Sequence, residues 1–240
     1  MRILIFPVLA VLAACTTPEG AVTRDAVFDP FEQRNREVFN ANTELDRLII
    51  GGGASAYGGS VPAPVRRMVG NLADNLDGPG AVVNNVLQGN GEDAIHNGFR
   101  FVLNTTLGVG GLFDVASSFG LEERDADFGQ TLAVWGAPEG AYLVLPVLGP
   151  STERDAIGKV VDRFLDPLGF AFGERERYYA LGVKVAAKVG KRDDFGDTVD
   201  DLLYDSADSY AQARILYLQN RRFDVAGGTA DDEYFDPYED

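Results

Sequence analysis

The stretch Asp29-Pro30-Phe31-Glu32 begins the folded part of this chain, and Asn35-Arg36 and Phe39-Asn40 follow it at helical spacing. The aspartate is a suitable N-cap, the proline suits the first helical position, and the glutamate can complete a capping box. We predict that a helix starts here and runs to Leu48, and that the glycines of residues 51–53 end it.

Glycine-rich stretches separate further segments with helical periodicity, which predicts a mainly α fold. We expect these helices at residues 65–76, 81–88, 92–107, 152–164, 174–189 and, in two pieces, 195–223. Asp77-Gly78-Pro79 should break the chain between the first two of them. Residues 130–135 and 141–148 are rich in Val, Leu, Trp and Tyr and predict one short β-hairpin around residues 136–140.

The N-terminus carries an export signal. Arg2 precedes an uncharged stretch over residues 3–14, and Leu12-Ala13-Ala14-Cys15 resembles the lipobox of bacterial lipoproteins. We predict a signal peptide over residues 1–14, lipidation of Cys15, and a tether over residues 15–28. The alternative is an ordinary signal peptide that happens to contain this cysteine, which is the only one in the chain.

Charge and hydropathy exclude several classes of function. The formal net charge of −16 lacks the basic footprint that nucleic-acid binding needs, so we expect no nucleic-acid partner. The longest uncharged run, residues 48–65, is rich in Gly, Ser and Pro and is unsuited to a membrane-spanning helix. Residues 229–240 contain six acids and no base, which predicts a disordered acidic tail.

The motifs of enzymes and metal sites are missing. His96 is the only histidine, no Gly-x-Ser-x-Gly motif supplies a nucleophile, and the acid pairs lack the spacing of a calcium loop. Gly108-Val109-Gly110-Gly111 follows a predicted helix rather than a strand, so it does not suit a phosphate-binding loop. We therefore expect no catalytic residue, no cofactor and no metal, and a structural role for His96.

Short motifs occur in one order along the chain: Asp29-Pro30-Phe31-Glu32, Asn35-Arg36, Phe39-Asn40, Val61-Pro62, Arg66, Asn71, Asn75-Leu76, Pro79, Val83-Asn84, Leu87-Gln88-Gly89, Arg100-Phe101, Asn104, Gly108 to Gly111, Asp114-Val115-Ala116, Asp127 to Leu132, Gly140-Ala141-Tyr142, Leu145-Pro146, Gly149-Pro150-Ser151, Arg154-Asp155 and Asp166-Pro167. In this order they resemble the VacJ/MlaA family of outer-membrane lipoproteins over residues 29–228. The stretch 51–59 is more glycine-rich than the family pattern, and the tail after Gly228 has no counterpart.

This resemblance implies a single ring-like helical domain, lipid-anchored at the periplasmic face of the outer membrane, with an amphipathic channel through it. Family members remove misplaced phospholipid from the outer leaflet and pass it to a soluble periplasmic lipid-carrier protein, usually while bound to a trimeric porin. A lipoprotein phospholipase and a structural scaffold for a porin complex are the alternatives.

Two sets of residues are candidates for the channel or its gate. Phe39 and Asn40 are the first set: helical spacing puts Phe31, Asn35, Phe39 and Asn42 near one face, and this mixture of aromatic and amide groups suits the border of a polar passage. The alternative is that Phe39 packs inward and Asn40 caps a neighbouring backbone. Gly108, Gly110 and Gly111 are candidates for a hinge because glycine tolerates positive φ, and a plain helix end is the alternative.

Overall fold

The computed structural model describes residues 27–51, 57 and 59–227, and for residues 49–51 it describes the backbone alone. The predicted signal peptide, the lipidated Cys15, most of the tether and the acidic tail lie outside the described residues. Their assignments therefore stay predictions.

The first helix, α1 (Glu32–Leu45), continues into a π-helical segment, Asp46–Gly51. The prediction that Asp29 caps this helix is wrong: Phe31 occupies the N-cap position without a side-chain hydrogen bond. The Asp29 carboxylate instead accepts hydrogen bonds from Asn35 Nδ2 at 2.8 Å, from Arg214 Nη1 at 2.6 Å and from the Tyr210 hydroxyl. Contacts with the distant C-terminal helix have thus taken the place of a local cap.

The second helix, α2 (Ala63–Leu87), is continuous, so the predicted break at residues 77–79 is wrong. Pro79 lies inside the helix, where a proline normally costs ~3 kcal/mol. Helix α2 packs along both α3 (Gly91–Thr106) and α7 (Glu174–Asp194), and these long contacts outweigh the local cost.

The predicted strand at residues 130–135 is also wrong, because this segment forms helix α4 (Phe128–Val134). Asp127 and Gln130 close a complete capping box at its first turn. The hairpin itself exists slightly further along: β1 (Tyr142–Leu145) pairs antiparallel with β2 (Gly149–Thr152), with Tyr142 opposite Thr152.

The remaining elements are helical, and they place the later predicted helices within a few residues. They are a 3-10 turn at Ser117–Phe119, α5 (Glu153–Leu165), α6 (Pro167–Ala171), α8 (Gly196–Asp200), a π-helical segment at Asp201–Asp205, and α9 (Ser209–Val225). The mainly α class with one short hairpin is confirmed. Within the described ranges, none of the helices is long and apolar enough to cross a membrane.

The core joins the hairpin to the first and last helices. Phe39, Tyr142, Val144, Tyr210, Ala213 and Leu218 form its buried apolar cluster. Helix α1 is fastened to β1 by side-chain amides: Asn35 donates to the Tyr142 carbonyl and accepts from Val144 N, both at 2.9 Å. Asn42, seven residues later on the same face, bonds Leu145 O and Val147 N in the same way.

Candidate functional site

A cavity of about 930 Å³ lies among α2, α3, α5, α6, α7 and the segment of residues 123–127. This volume is at the upper end of the range for small-molecule sites. Its apolar lining includes Leu76, Phe101, Leu165, Leu168, Phe172 and Leu181, and charged groups interrupt this lining on every side. The cavity is therefore amphipathic.

Buried asparagines fix the cavity walls to one another. Asn84 Nδ2 donates to Asp162 at 2.8 Å, and its Oδ1 accepts from the Thr131 hydroxyl at 3.0 Å, which joins α2 to α5 and α4. Asn104 Nδ2 donates to Asp114 at 2.9 Å. Because unpaired buried amides are costly, these bonds hold the walls in one arrangement.

Ion pairs set the register between α2 and α7. Lys184 pairs with Asp77 at 2.5 Å, and Lys191 pairs with Asp74 at 3.4 Å. At the end of the same wall, Arg66 pairs with Asp194 at 2.7 Å. The residue numbers of the paired groups rise along α2 as they fall along α7, so the two helices are antiparallel neighbours along the cavity.

Arg221 of α9 ties the segment before α4 to α5. It donates to both carboxylate oxygens of Asp127 at 2.7 Å and to Asp155 at 2.8 Å. Burial opposes the charge of Arg221, but these hydrogen bonds outweigh burial and raise its pKa. Burial likewise opposes ionisation of Asp155, yet the bonds from Arg221 and Tyr217 lower its pKa.

Acidic groups concentrate where residues 123–125 face α2. Burial, together with the neighbouring charges of Asp74 and Asp125, raises the pKa of Glu123 to about 7. Burial also raises the pKa of Asp74, although Lys191 opposes this shift. Ordinary carboxyl groups are fully ionised near pH 7, so Glu123 is unusual in titrating there.

Two arginines stand out among the other residues of the lining. Arg163 of α5 and Arg177 of α7 both line the cavity. Across the portion of the protein that the structure describes, neither one pairs with a carboxylate. They are available for an anionic group such as a phosphate.

The outer surface carries many large exposed apolar side chains. Ile95, Phe99 and Val102 form a stripe on α3, and each is more than half exposed. Further large exposed apolar side chains occur on the loop after α3 and on α5 to α7: Leu107, Val109, Phe113, Phe119, Val160, Phe164, Phe170, Tyr178 and Val185. Exposed apolar surface of this extent marks a protein or membrane contact.

The candidate channel residues from the sequence lie away from the cavity lining. Phe39 is buried, with its ring 5.7 Å from that of Tyr210 in an edge-on arrangement, and Asn40 is exposed. Phe39 thus has the inward position of the alternative interpretation.

The candidate hinge glycines lie where α3 ends. Gly108, Gly110 and Gly111 donate backbone hydrogen bonds to the last turn of α3 at 3.2, 2.9 and 2.8 Å. Gly110 and Gly111 have positive φ values of 75° and 98°. A Cβ on Gly111 would lie 2.6 Å from the side chain of Asn75, a cavity-lining residue. The three glycines therefore close a helix end next to the cavity wall.

Sequence reasoning missed Asp74, Glu123, Arg163 and Arg177. Asp74 and Asp77 are three residues apart on α2, and their partners Lys191 and Lys184 are seven residues apart on α7. Both spacings keep the charges on one face of their helix, so the sequence held a signal that these two helices pair. Glu123 had no such signal because its neighbours come from distant parts of the chain. His96 has a structural contact, since its Nε2 lies 2.6 Å from the Glu122 carbonyl oxygen.

Comparisons with known proteins agree on the family to which this chain is similar. The family model described as "MlaA lipoprotein" matches residues 27–224. The "Intermembrane phospholipid transport system lipoprotein MlaA" of Escherichia coli K12 is 34% identical over 204 residues, which are 83% of this chain and 79% of that protein. The protein of the same name from Haemophilus influenzae is 31% identical over 205 residues, or 83% and 80% of the two chains.

Two further similarities extend the comparison. An uncharacterized protein of Rickettsia felis is 36% identical over 200 residues, covering 83% of this chain and 78% of its own. A solved structure described as "Structural basis for maintenance of bacterial outer membrane lipid asymmetry" matches with a TM-score of 0.70 and 31% identity, over 82% of this chain and 98% of that one. Sequence, family model and fold agree, and the chain belongs to the MlaA lipoprotein family.

Proposed function

We propose that this chain is an outer-membrane lipoprotein of intermembrane phospholipid transport, and that its cavity is the passage for the lipid. The observation that carries the proposal is the combination of an amphipathic cavity with a broad apolar exterior. A water-soluble domain would cover such apolar surface, whereas a body embedded in one membrane leaflet needs it.

Moving a phospholipid between membranes poses a physical problem that the cavity can solve. Each acyl methylene exposed to water costs ~0.8 kcal/mol, so two chains cannot leave the bilayer without an apolar guide. Leu168, Phe172 and Leu181 supply such a surface inside the cavity. Arg163 and Arg177 are suited to the phosphate of the headgroup. This transfer needs no catalytic group.

The wider arrangement is part of the same proposal. Residues 1–14 are the signal peptide, a lipid on Cys15 anchors the protein at the periplasmic face, and residues 29–228 form the transfer domain. The protein takes misplaced phospholipid from the outer leaflet, works beside a trimeric porin, and delivers the lipid to a soluble periplasmic carrier. The names of the Escherichia coli and Haemophilus influenzae relatives support the transport role.

Filling the cavity tests this function. Gly80 of α2 lines the cavity, and a Cβ added there meets no atom within 4 Å. Gly80→Phe should therefore place a ring in the passage without backbone strain and reduce transfer of a fluorescent phospholipid from donor vesicles at least about tenfold. Replacing a helical glycine does not by itself destabilise the helix.

Gly70→Phe is the matched control. Gly70 lies on the same helix, has equally open space around its Cβ, and does not line the cavity. It should transfer lipid at the rate of the unsubstituted protein. Equal transfer by both variants, with both folded, would contradict the assignment of the cavity as the passage.

A further inference from the structure

The pairing of α2 with α7 locates charged groups along the cavity. Lys191 is level with Asp74, and Arg177 precedes Lys191 by fourteen residues on α7. At 1.5 Å per residue, Arg177 and Asp74 are about 21 Å apart along the helix axis. Arg177 thus lies toward one end of the cavity, and an acidic end, at Asp74, lies toward the other.

The acidic end presents hydrogen-bond acceptors. Asp74 comes from α2, while Glu123 and Asp125 come from the segment that faces it. Asn75 lines the same cavity and is only 7% exposed. Its Nδ2 donates to the Thr105 hydroxyl at 3.1 Å, but its Oδ1 has no hydrogen-bond partner among the residues that the structure describes. A buried acceptor without a partner is costly, so a ligand that supplies a donor here is favoured.

The cations near this end do not neutralise it. Lys191 is already paired with Asp74, and Arg124 with Glu92 and Asp93. Arg100 bonds Asp114, Ser117 and the Leu121 carbonyl. The pKa of Glu123 is raised to about 7 by burial and by the charges of Asp74 and Asp125, in spite of Arg100 and Lys191. The acidic end therefore favours an added positive charge.

A metal ion does not suit this end. Among the described residues, no three His, Cys, Asp or Glu side chains come close enough together to hold one. A primary ammonium group suits it better, because it carries a positive charge and three N–H donors and needs no tight ligand cage.

We propose that the acidic end, formed by Asp74, Asn75, Glu123 and Asp125, receives the ammonium of an aminophospholipid headgroup, so that the passage prefers phosphatidylethanolamine to phosphatidylglycerol. This inference rests on the proposed transport function and adds a headgroup preference to it. A headgroup is much shorter than the distance between the two ends. A lipid therefore meets Arg177 and the acidic end in succession.

The test uses the full-length protein exposed at pH 8 to vesicles with equal amounts of phosphatidylethanolamine, phosphatidylcholine and phosphatidylglycerol. The protein is then reisolated, and mass spectrometry measures the bound lipids. We expect phosphatidylethanolamine to be enriched over phosphatidylglycerol. Phosphatidylcholine should be intermediate, because its methylated ammonium is charged but cannot donate N–H bonds to Asn75 or the carboxylates.

Glu123→Gln should reduce the ratio of bound phosphatidylethanolamine to phosphatidylglycerol by about two- to fivefold, the range for one partly exposed charge pair. Glu122→Gln is the control: Glu122 is the adjacent residue, is exposed and does not line the cavity. It should leave the ratio unchanged. Both substitutions replace a loop carboxylate by an amide of nearly the same shape, so both variants should fold.

The unsubstituted protein provides a second readout through pH. Glu123 is ionised above its pKa of about 7 and becomes neutral below it. The preference should therefore be strongest at pH 8 and weaken by pH 6, and Glu123→Gln should show a flatter profile.

The outcomes separate the two proposals. Lipid binding without any phosphatidylethanolamine preference, or with a preference that Glu123→Gln and pH leave unchanged, would overturn the headgroup assignment and leave the transport function standing. Failure of the unsubstituted protein to retain any phospholipid would overturn both.

Discussion

Two side-chain amides connect the first helix to the only strand pair in the described chain. Asn35 and Asn42 each donate to a carbonyl and accept from a backbone N–H of the β1 region, as a neighbouring strand would. This arrangement explains why α1 has amides on the same face as Phe39. The mixed aromatic and amide face, which from sequence suggested a passage border, is occupied here by core and hairpin contacts.

Asn35→Ala should lower the free energy of unfolding by about 2–4 kcal/mol, because it leaves a buried carbonyl and a buried N–H without partners. Asn40→Ala, on the exposed face of the same helix, should change it by less than about 0.5 kcal/mol. Denaturant unfolding in detergent measures both values. Equal effects would contradict the docking role of Asn35.

The glycines after α3 allow the hinge hypothesis to be separated from a plain helix end. Gly111→Ala should destabilise the protein by ~1 kcal/mol or more, because its φ is 98° and its Cβ would meet Asn75. Gly98→Ala, in the open interior of α3, should be neutral or stabilising. Lipid transfer per folded molecule distinguishes the two roles, measured for Gly108→Ala, Gly110→Ala and Gly111→Ala. An unchanged transfer rate supports a plain helix end. A reduced transfer rate without loss of stability supports a hinge.

At the scale of elements, local signals predicted most helices and failed where distant contacts dominate. Asp29, followed by proline, looked like an N-cap, yet Arg214 and Tyr210 hold its carboxylate. The Val- and Leu-rich stretch near residue 132 looked like a strand, although Asp127 and Gln130 supplied a capping-box pattern that predicts a helix. The contacts of Asp29 could be predicted only from the tertiary structure, whereas the capping box at Asp127 was already visible in the sequence.

Pro79 offers a direct check on the continuity of α2. Because it lies inside a continuous helix, Pro79→Ala should restore a backbone donor and raise the free energy of unfolding by about 1–3 kcal/mol. Pro64→Ala, in the first turn of the same helix, should have an effect below about 0.5 kcal/mol. Absence of any gain at Pro79 would favour the break that the local sequence predicts.

At the scale of the molecule, the family pattern predicted the fold class, while the cavity residues could not be read from the chain. The lining combines α2, α3 and α5 to α7 with a loop, one residue of α4 and two residues of α9, and no local motif encodes such a combination. Helical periodicity identifies which residues share a face of one helix, but it does not reveal which faces of different helices surround a common space.

Stability should depend on pH through two groups with opposite shifts. Glu123 has a raised pKa, so its proton favours the folded state, and stability should increase as pH falls from about 8 toward 5. Asp155 has a lowered pKa, so its contribution is present above the ordinary aspartate pKa and is lost only in stronger acid. Unfolding midpoints across this range measure the effect. Glu123→Gln should remove the gain between pH 8 and 5, and an unchanged gain would assign it to other groups.

Site-specific photo-crosslinking tests most directly whether phospholipid occupies the cavity. A photoreactive side chain replaces either Phe101, which lines the cavity, or Phe99, which is 59% exposed on the outer stripe of the same helix. Both positions should capture phospholipid in cells, the first from the passage and the second from the surrounding membrane. Adding Gly80→Phe should abolish capture at residue 101 and leave capture at residue 99 intact. Capture at residue 99 alone, or capture at residue 101 that Gly80→Phe does not reduce, would contradict the claim that the cavity carries the lipid.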